Sequence, residues 1–102
     1  SAGCRVKGTV RRSVLGPGVV VEPGAVIEDA VLLAGVRVSR DARVVTAILD
    51  EGVRVEVGAR VGQATRATRA HDHHIAVVGR DSVIGRGVTV PAGARLEPGT
   101  TA

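Results

Sequence analysis

Three consecutive blocks of 17 residues decide the fold: SVLGPGVVVEPGAVIED (13–29), AVLLAGVRVSRDARVVT (30–46) and AILDEGVRVEVGARVGQ (47–63). Aligning the blocks places matching residues in column after column. The third column is leucine in every block, and the sixth is glycine, as the sequence shows at Leu15, Leu32, Leu49 and at Gly18, Gly35, Gly52. Self-similarity at a fixed period is the signature of a repeat protein, in which each unit buries its apolar side against the next.

Within the blocks the large aliphatic residues recur in steps of six, six and five, at Leu15, Val21, Ile27 and Leu32. Two positions before each of them lies a small or β-branched residue. The same rule returns at Val78, Ile84, Val90 and Leu96; upstream it places Cys4 and Val10 at aliphatic positions and Gly8 at a small one. A step of six fits neither an α-helix nor simple strand alternation. It predicts strands of about three residues, each followed by a turn.

Three such strands return the chain above its own start after 17 or 18 residues. We therefore predict an all-β fold, a single-stranded parallel β-helix whose stacked coils close a common core. The chain contains no Phe, Tyr, Trp or Met, so this core must be narrow and built from Val, Ala, Leu and Ile. At 102 residues we expect one domain, residues 1–102, interrupted by a loop at 63–75 where the repeat is lost.

The composition excludes several classes of partner. The net charge of +4 is spread along the chain, and aromatic platforms for bases are absent, so we expect no nucleic-acid partner. No apolar run reaches transmembrane length, so we expect no membrane partner. A single cysteine, Cys4, fits a reducing, cytoplasmic location. The chain does not begin with Met, and we expect it to be part of a longer protein.

Two stretches carry a resemblance to a known family: GCRVKGTVRRSVLGPGVVVEPGAVIEDAVLLAGVRV (3–38) and ARVVTAILDEGVRVEVGARVG (42–62). They resemble the C-terminal hexapeptide-repeat domain of bacterial glucose-1-phosphate adenylyltransferase (ADP-glucose pyrophosphorylase) or of related sugar-1-phosphate nucleotidyltransferases. The resemblance implies a left-handed coil, although parallel crossovers are generally right-handed. It also implies that a separate N-terminal domain, which holds Mg²⁺, transfers the adenylyl group of ATP to glucose 1-phosphate and releases pyrophosphate, giving ADP-glucose for glycogen synthesis.

None of the motifs of that catalytic domain occurs in these 102 residues. We therefore assign this chain no catalytic residue, no metal ligand and no cofactor. What the resemblance implies for it is a non-catalytic role in subunit assembly and in the wall of an allosteric effector cleft. The expected partners are further copies of the chain, the catalytic domain, and phosphate or a sugar phosphate.

The residue just before each inward-pointing aliphatic residue should point outward. Equivalent outward residues of successive coils then stack into ladders, one apolar and two basic. Val14, Val31 and Ile48 form the apolar ladder, which we predict to be an interface; the alternative is an ordinary set of exposed strand valines. The basic ladders carry the stacked pairs Arg37/Arg54 and Arg43/Arg60. These pairs are candidate anion or effector sites; the alternative is arginines partnered by Glu22, Glu28 or Glu56.

The interrupting loop contains His71, Asp72, His73 and His74. Three interpretations stay open: a metal cluster, a histidine base, or a plain surface loop. The second would make the protein a stand-alone trimeric hexapeptide acyltransferase, which is the alternative to the nucleotidyltransferase hypothesis. No second group of ligands elsewhere in the sequence supports a metal site.

Overall fold

Each coil of the molecule contains three short strands, and equivalent strands of successive coils pair into three sheets. The computed structural model describes residues 3–63 and 75–102. Sheet A contains, in spatial order, β1 (Arg5–Val6), β4 (Val20–Val21), β7 (Arg37–Val38), β10 (Arg54–Val55) and β13 (Val83–Ile84). Sheet B contains β2 (Thr9–Arg11), β5 (Val26–Glu28), β8 (Arg43–Val45), β11 (Arg60–Gln63) and β14 (Thr89–Pro91). Sheet C contains β3 (Val14–Leu15), β6 (Val31–Leu32), β9 (Ala47–Leu49), β12 (Ala76–Val78) and β15 (Arg95–Leu96).

All the strand pairs are parallel, and the register follows the sequence repeat. Val31, for example, lies level with Val14 on one side and with Ile48 on the other. Backbone N–H groups of each coil donate to carbonyl groups of the next, as from Gly16 to Leu32 at 2.7 Å and from Leu33 to Leu49 at 2.9 Å. The described residues form no helix. The prediction of an all-β parallel β-helix is confirmed.

The aliphatic columns predicted from the sequence line the inside of the tube. Leu32 and Leu49 are fully buried, and Leu15 packs on them from the first coil, where it is half-buried. After the loop, Val78, Ile84 and Val90 are buried in the same core. Each such side chain contributes roughly 1.5 to 3 kcal/mol through burial. The core is therefore a pile of similar small layers, and each layer depends on its neighbours.

One prediction about the first coil is wrong. Arg5 pairs with Val20, so Cys4 lies level with Val19 in the small column, and Val6 occupies the aliphatic position beside Val21. The reason is a tighter corner, because only Lys7 and Gly8 separate β1 from β2. A Cβ on Gly8 would come within 2.5 Å of the Ala25 carbonyl oxygen. Glycine at this point lets the chain cut the corner, and the step of six fails upstream of it.

The chain interrupts its coils after β11, in sheet B, and resumes them at β12, in sheet C. Residues 64–75 lie between β11 and β12, whereas Thr46 alone separates β8 from β9 one coil earlier. At the exit, Gly62 has a φ of 79°, and a Cβ there would overlap the carbonyl oxygen of Val45. On re-entry, Val77 pairs with Ile48. The sequence pattern alone left open which sheet follows the loop, and this register shows that it is sheet C.

Candidate interaction surfaces

The outward ladder of sheet C is apolar over four rungs. Val14, Val31 and Ile48 lie in register as the sequence predicted, and Val77 extends the ladder beyond the loop. Val14 is 63% exposed, and the other three are half-buried by their neighbours. Arg95 ends the ladder in the last coil. The stacking is confirmed, while the role of this ladder as an interface stays a prediction.

Two further apolar side chains widen this surface. Leu33 directly follows β6 and is 37% exposed, and Ile75 directly precedes β12 and is 45% exposed. Three of the four exposed large hydrophobic residues among the described ones (Val14, Leu33 and Ile75) therefore lie on or beside sheet C; the fourth is Val6 in the first coil. We call Val14, Val31, Leu33, Ile48, Ile75 and Val77 the apolar face. The sequence reasoning missed Val77, although it precedes inward Val78 just as Val31 precedes Leu32.

The outward ladders of sheets A and B each contain a stacked pair of arginines. Arg54 is level with Arg37 in sheet A, and Arg60 is level with Arg43 in sheet B, so both predicted pairs are direct neighbours. All four side chains are exposed. None of these four arginines forms an ion pair with the glutamates named as their alternative partners. Within residues 3–63 and 75–102 the ion pairs join only Arg11 and Arg12 to Glu28, and Arg12 to Asp29. No ion pair with Glu22, Glu28 or Glu56 therefore supports the alternative interpretation, and the anion site and the solvated arginine surface both stay predictions.

Sheet A also carries a surface notch that the sequence reasoning missed. Arg5, Val20 and Arg37 occupy three successive rungs, and the short valine leaves a gap between the two long arginines. The resulting pocket of about 390 Å³ is lined by Arg5, Lys7, Val20, Val21, Glu22, Pro23 and Arg37. A second pocket of similar size shares Glu22 and Arg37 and is completed by Ser39, Arg40 and Val57. We call the first of these the sheet A notch. The repeat did not place Arg5 on this ladder, because the corner that follows β1 in the first coil is shorter than the others.

An ion pair joins two coils at the corner between sheets B and C. Arg12 donates from Nε to Asp29 Oδ1 at 2.7 Å and from Nη2 to Oδ2 at 3.1 Å. Both residues have positive φ, 47° and 50°. The hydrogen bonds and the charge of Arg12 hold the pKa of Asp29 below its ordinary value and raise the pKa of Arg12. Because both side chains are exposed, solvent screens this pair.

The histidine loop cannot be assigned a site. His71, Asp72, His73 and His74 lie outside the described residues, so the metal, base and surface-loop interpretations are not distinguished. Within the described ranges, no group of three or more His, Cys, Asp or Glu side chains is placed to hold a metal ion. Nor does that part of the chain contain a helix with the length and hydrophobicity of a membrane span.

Comparison with known proteins supports the hexapeptide assignment. A family described as GlmU-like, C-terminal hexapeptide matches residues 1–79. The glucose-1-phosphate adenylyltransferases of Streptomyces coelicolor and Streptomyces avermitilis are each 68% identical to this chain over 28 residues. That stretch is 28% of this chain and only 7% of each relative, so the chain matches a small part of their length. No solved structure gives a significant match.

Proposed function

This chain belongs to the GlmU-like, C-terminal hexapeptide family, and from that premise we propose that it is a non-catalytic assembly domain. Its parent would be a sugar-1-phosphate nucleotidyltransferase of the glucose-1-phosphate adenylyltransferase kind, which makes ADP-glucose in the cytoplasm. The short but strong identity to two such enzymes supports this parent. The nucleotidyl transfer, with its Mg²⁺, would then belong to a catalytic domain separate from this β-helix.

The apolar face is the observation that carries the assembly role. Its four ladder residues lie one above another at strand spacing, about 4.8 Å apart. They form one continuous strip, flanked by exposed Leu33 and Ile75. Single exposed valines need no explanation, but a contiguous apolar strip marks an interaction site. At the two middle rungs, those of Val31 and Ile48, the other two faces present guanidinium groups, which favours sheet C as the side that leaves water.

We propose that a second copy of this chain covers the apolar face. Light scattering of the 102-residue chain tests this directly, and we expect a mass that is a multiple of the single chain. The double variant Val31→Glu, Ile48→Glu places charges in the middle of the strip and should give the monomer mass. The matched control Val20→Glu, Val26→Glu makes the same change on the outward ladders of sheets A and B and should keep the mass of the parent.

A monomeric parent chain, or equal loss of association in both double variants, would contradict assembly through sheet C. Circular dichroism of each variant shows whether the β-helix has survived the substitution. The occupant would then have to be sought in the catalytic domain, whose docking is measured with the complete gene product.

The basic ladders support a second part of the proposal, contact with a phosphate or sugar-phosphate effector. Arg37/Arg54 and Arg43/Arg60 each bring two exposed guanidinium groups onto adjacent rungs. Two unit charges about 4.8 Å apart in water repel by roughly 0.9 kcal/mol, and an anion between them offsets that repulsion. Phosphate titration followed by arginine side-chain NMR should shift these resonances. Unchanged spectra at millimolar phosphate would remove the effector role from the ladders.

A further inference from the structure

The two ends of the tube differ in how well they close the interior. In the last coil the inward residues Ile84 and Val90 are buried, and residues 100–102 add a further rung to sheet A. In the first coil the inward residue Val6 is 44% exposed, and Val10 is only half-buried. Within the described part of the chain, the first coil therefore leaves some of the apolar interior uncovered.

The first coil also presents free strand edges. Among the described residues β1 pairs only with β4, and β2 only with β5. The N–H groups of Arg5 and Thr9 donate to the second coil. Because alternate residues of a parallel strand direct their backbone groups to opposite neighbours, those of Val6 and Val10 face away from the second coil. At the other end of the tube, β14 contains Pro91, which has no N–H and disfavours further pairing.

The net charge of the chain is concentrated at this end. Residues 3–16 contain Arg5, Lys7, Arg11 and Arg12 and no Asp or Glu, so they carry a charge of +4. The net charge of all 102 residues is also +4, because the ten other basic residues balance the ten acidic ones. The ion pairs within residues 3–63 and 75–102 do not include Arg5 or Lys7. The open end is therefore apolar at its centre and basic around its rim.

This combination disfavours a second copy of the chain as the occupant of the open end. Two first coils brought end to end would oppose a charge of +4 to an equal one. The last coil does not complement the first either, because Arg86 and Arg95 outnumber Glu97 there. A lipid surface supplies negative charge but no backbone groups for the free edges. An acidic polypeptide supplies both.

From these features we infer that the first coil binds an extended, acidic segment of a partner polypeptide, which adds parallel strands to β1 and β2. Apolar side chains of the segment cover Val6 and Val10, and its acidic side chains lie beside Arg5 and Lys7. Such strand addition takes its affinity from main-chain hydrogen bonds and its specificity from alternate side chains. It uses inward residues and strand edges, whereas the apolar face is outward, so the inference does not depend on assembly through sheet C.

A peptide with the sequence of residues 19–29, VVVEPGAVIED, serves as the probe. In the molecule this stretch contains β4 and β5, which pair with the other edges of β1 and β2, and it has three acidic residues and no basic one. Fluorescence anisotropy of the labelled peptide should show binding to the 102-residue chain that weakens as salt is added. A control peptide with Gln for Glu and Asn for Asp should bind about fivefold more weakly or worse. Failure of the acidic peptide to bind at millimolar concentration, equal binding of both peptides, or displacement by phosphatidylglycerol vesicles would overturn the inference.

Two matched variants of the chain locate the binding. Val6→Ser removes an apolar side chain from the open end and should weaken the peptide about tenfold. Val14→Ser makes the same change on the outside of the same coil, where the side chain is 63% exposed, and should leave the affinity unchanged. Both side chains are exposed, so the β-helix should survive each change, which circular dichroism checks. Equal weakening by the two variants, or a lower oligomer mass of Val6→Ser alone, would contradict a peptide site at this end.

N-methylation of the probe tests whether it adds a strand. In the molecule the Val26 N–H donates to the next coil at 2.9 Å, and in the bound peptide the same N–H would donate to the first coil. A methyl group on that nitrogen should abolish binding, whereas one on the nitrogen of Ile27, which would face away, should not. Equal effects would mean that the peptide adheres without strand pairing, against the inference.

The complete gene product, titrated in the same way, distinguishes a partner from the protein itself. We expect it to bind the peptide as the 102-residue chain does. Loss of binding there would mean that another part of the same protein covers the first coil, and the assignment to a partner polypeptide would be overturned.

Discussion

Sheets A and C share a backbone plan and an interior, yet they present opposite chemistry to the outside. In sheet C the rung of β6 holds outward Val31 and inward Leu32, and in sheet A the rung of β7 holds outward Arg37 and inward Val38. Both inward side chains are fully buried. The parallel ladder accepts either outward residue, since its hydrogen bonds use only backbone groups. The comparison teaches that the inward positions build this fold, and that the outward positions are free to specify partners.

The largest effect should come from breaking the shared interior. Leu32→Ala removes a fully buried side chain that lies between Leu15 and Leu49, and we expect it to lower the free energy of unfolding by about 3 kcal/mol. The neighbouring Val31→Ala, on the outside of the same strand, should cost less than about 1 kcal/mol. Urea denaturation of both variants measures the difference. Equal losses would contradict the assignment of Leu32 to the interior and Val31 to the surface.

The second-largest effect should come from giving sheet A apolar outward side chains like those of sheet C. The double variant Arg37→Val, Arg54→Val continues the apolar run from Val20, and it should make sheet A self-associate. Each valine that leaves water at a new contact contributes up to about 1.5 kcal/mol to association. Sedimentation velocity should show species larger than the parent. The control Arg37→Gln, Arg54→Gln removes the charge without adding an apolar surface, and association by this control would show that charge loss alone is responsible.

The smallest effect should lie at the corner where the chain passes from sheet B to sheet C. Arg12 lowers the pKa of Asp29, so this pair stabilises the folded state above the ordinary aspartate pKa of about 3.9 and the contribution is lost as pH falls through the lowered value. Arg12→Gln should return the pKa of Asp29 towards its ordinary value in a carboxyl NMR titration. Arg54→Gln, which removes a guanidinium from sheet A, should leave it low. A pKa of Asp29 that does not respond to Arg12→Gln would exclude this pair as the cause.

Much of the fold could be read from the sequence because the inward columns repeat. Leu32, Val38 and Val44 are each two residues after a small or β-branched side chain, and this spacing identifies a strand whatever its neighbours are. The prediction failed at Cys4, where the corner containing Gly8 is shorter than the repeat allows. Corner length depends on whether the main chain can pass close to the coil beside it, and spacing does not report that.

The candidate surfaces were only partly predictable, for a related reason. Val14, Val31 and Ile48 share one uninterrupted repeat, so their alignment followed from counting. The sequence could not assign Val77 to the same ladder, because residues 64–75 interrupt the repeat spacing. Only the pairing of Val77 with Ile48 makes that assignment. The sheet A notch needed side chains from three coils and one irregular corner to be placed together.

The amino-acid sequence by itself determined the three-sided tube, its apolar interior and the alternation of inward and outward residues, because these follow from a local period that every coil repeats. The tertiary structure alone decided which sheet continues after the loop, how the first corner closes, and which charged side chains meet across a gap. Those features depend on contacts between residues of different coils, with distances set by main-chain packing at the corners, where the repeat is interrupted.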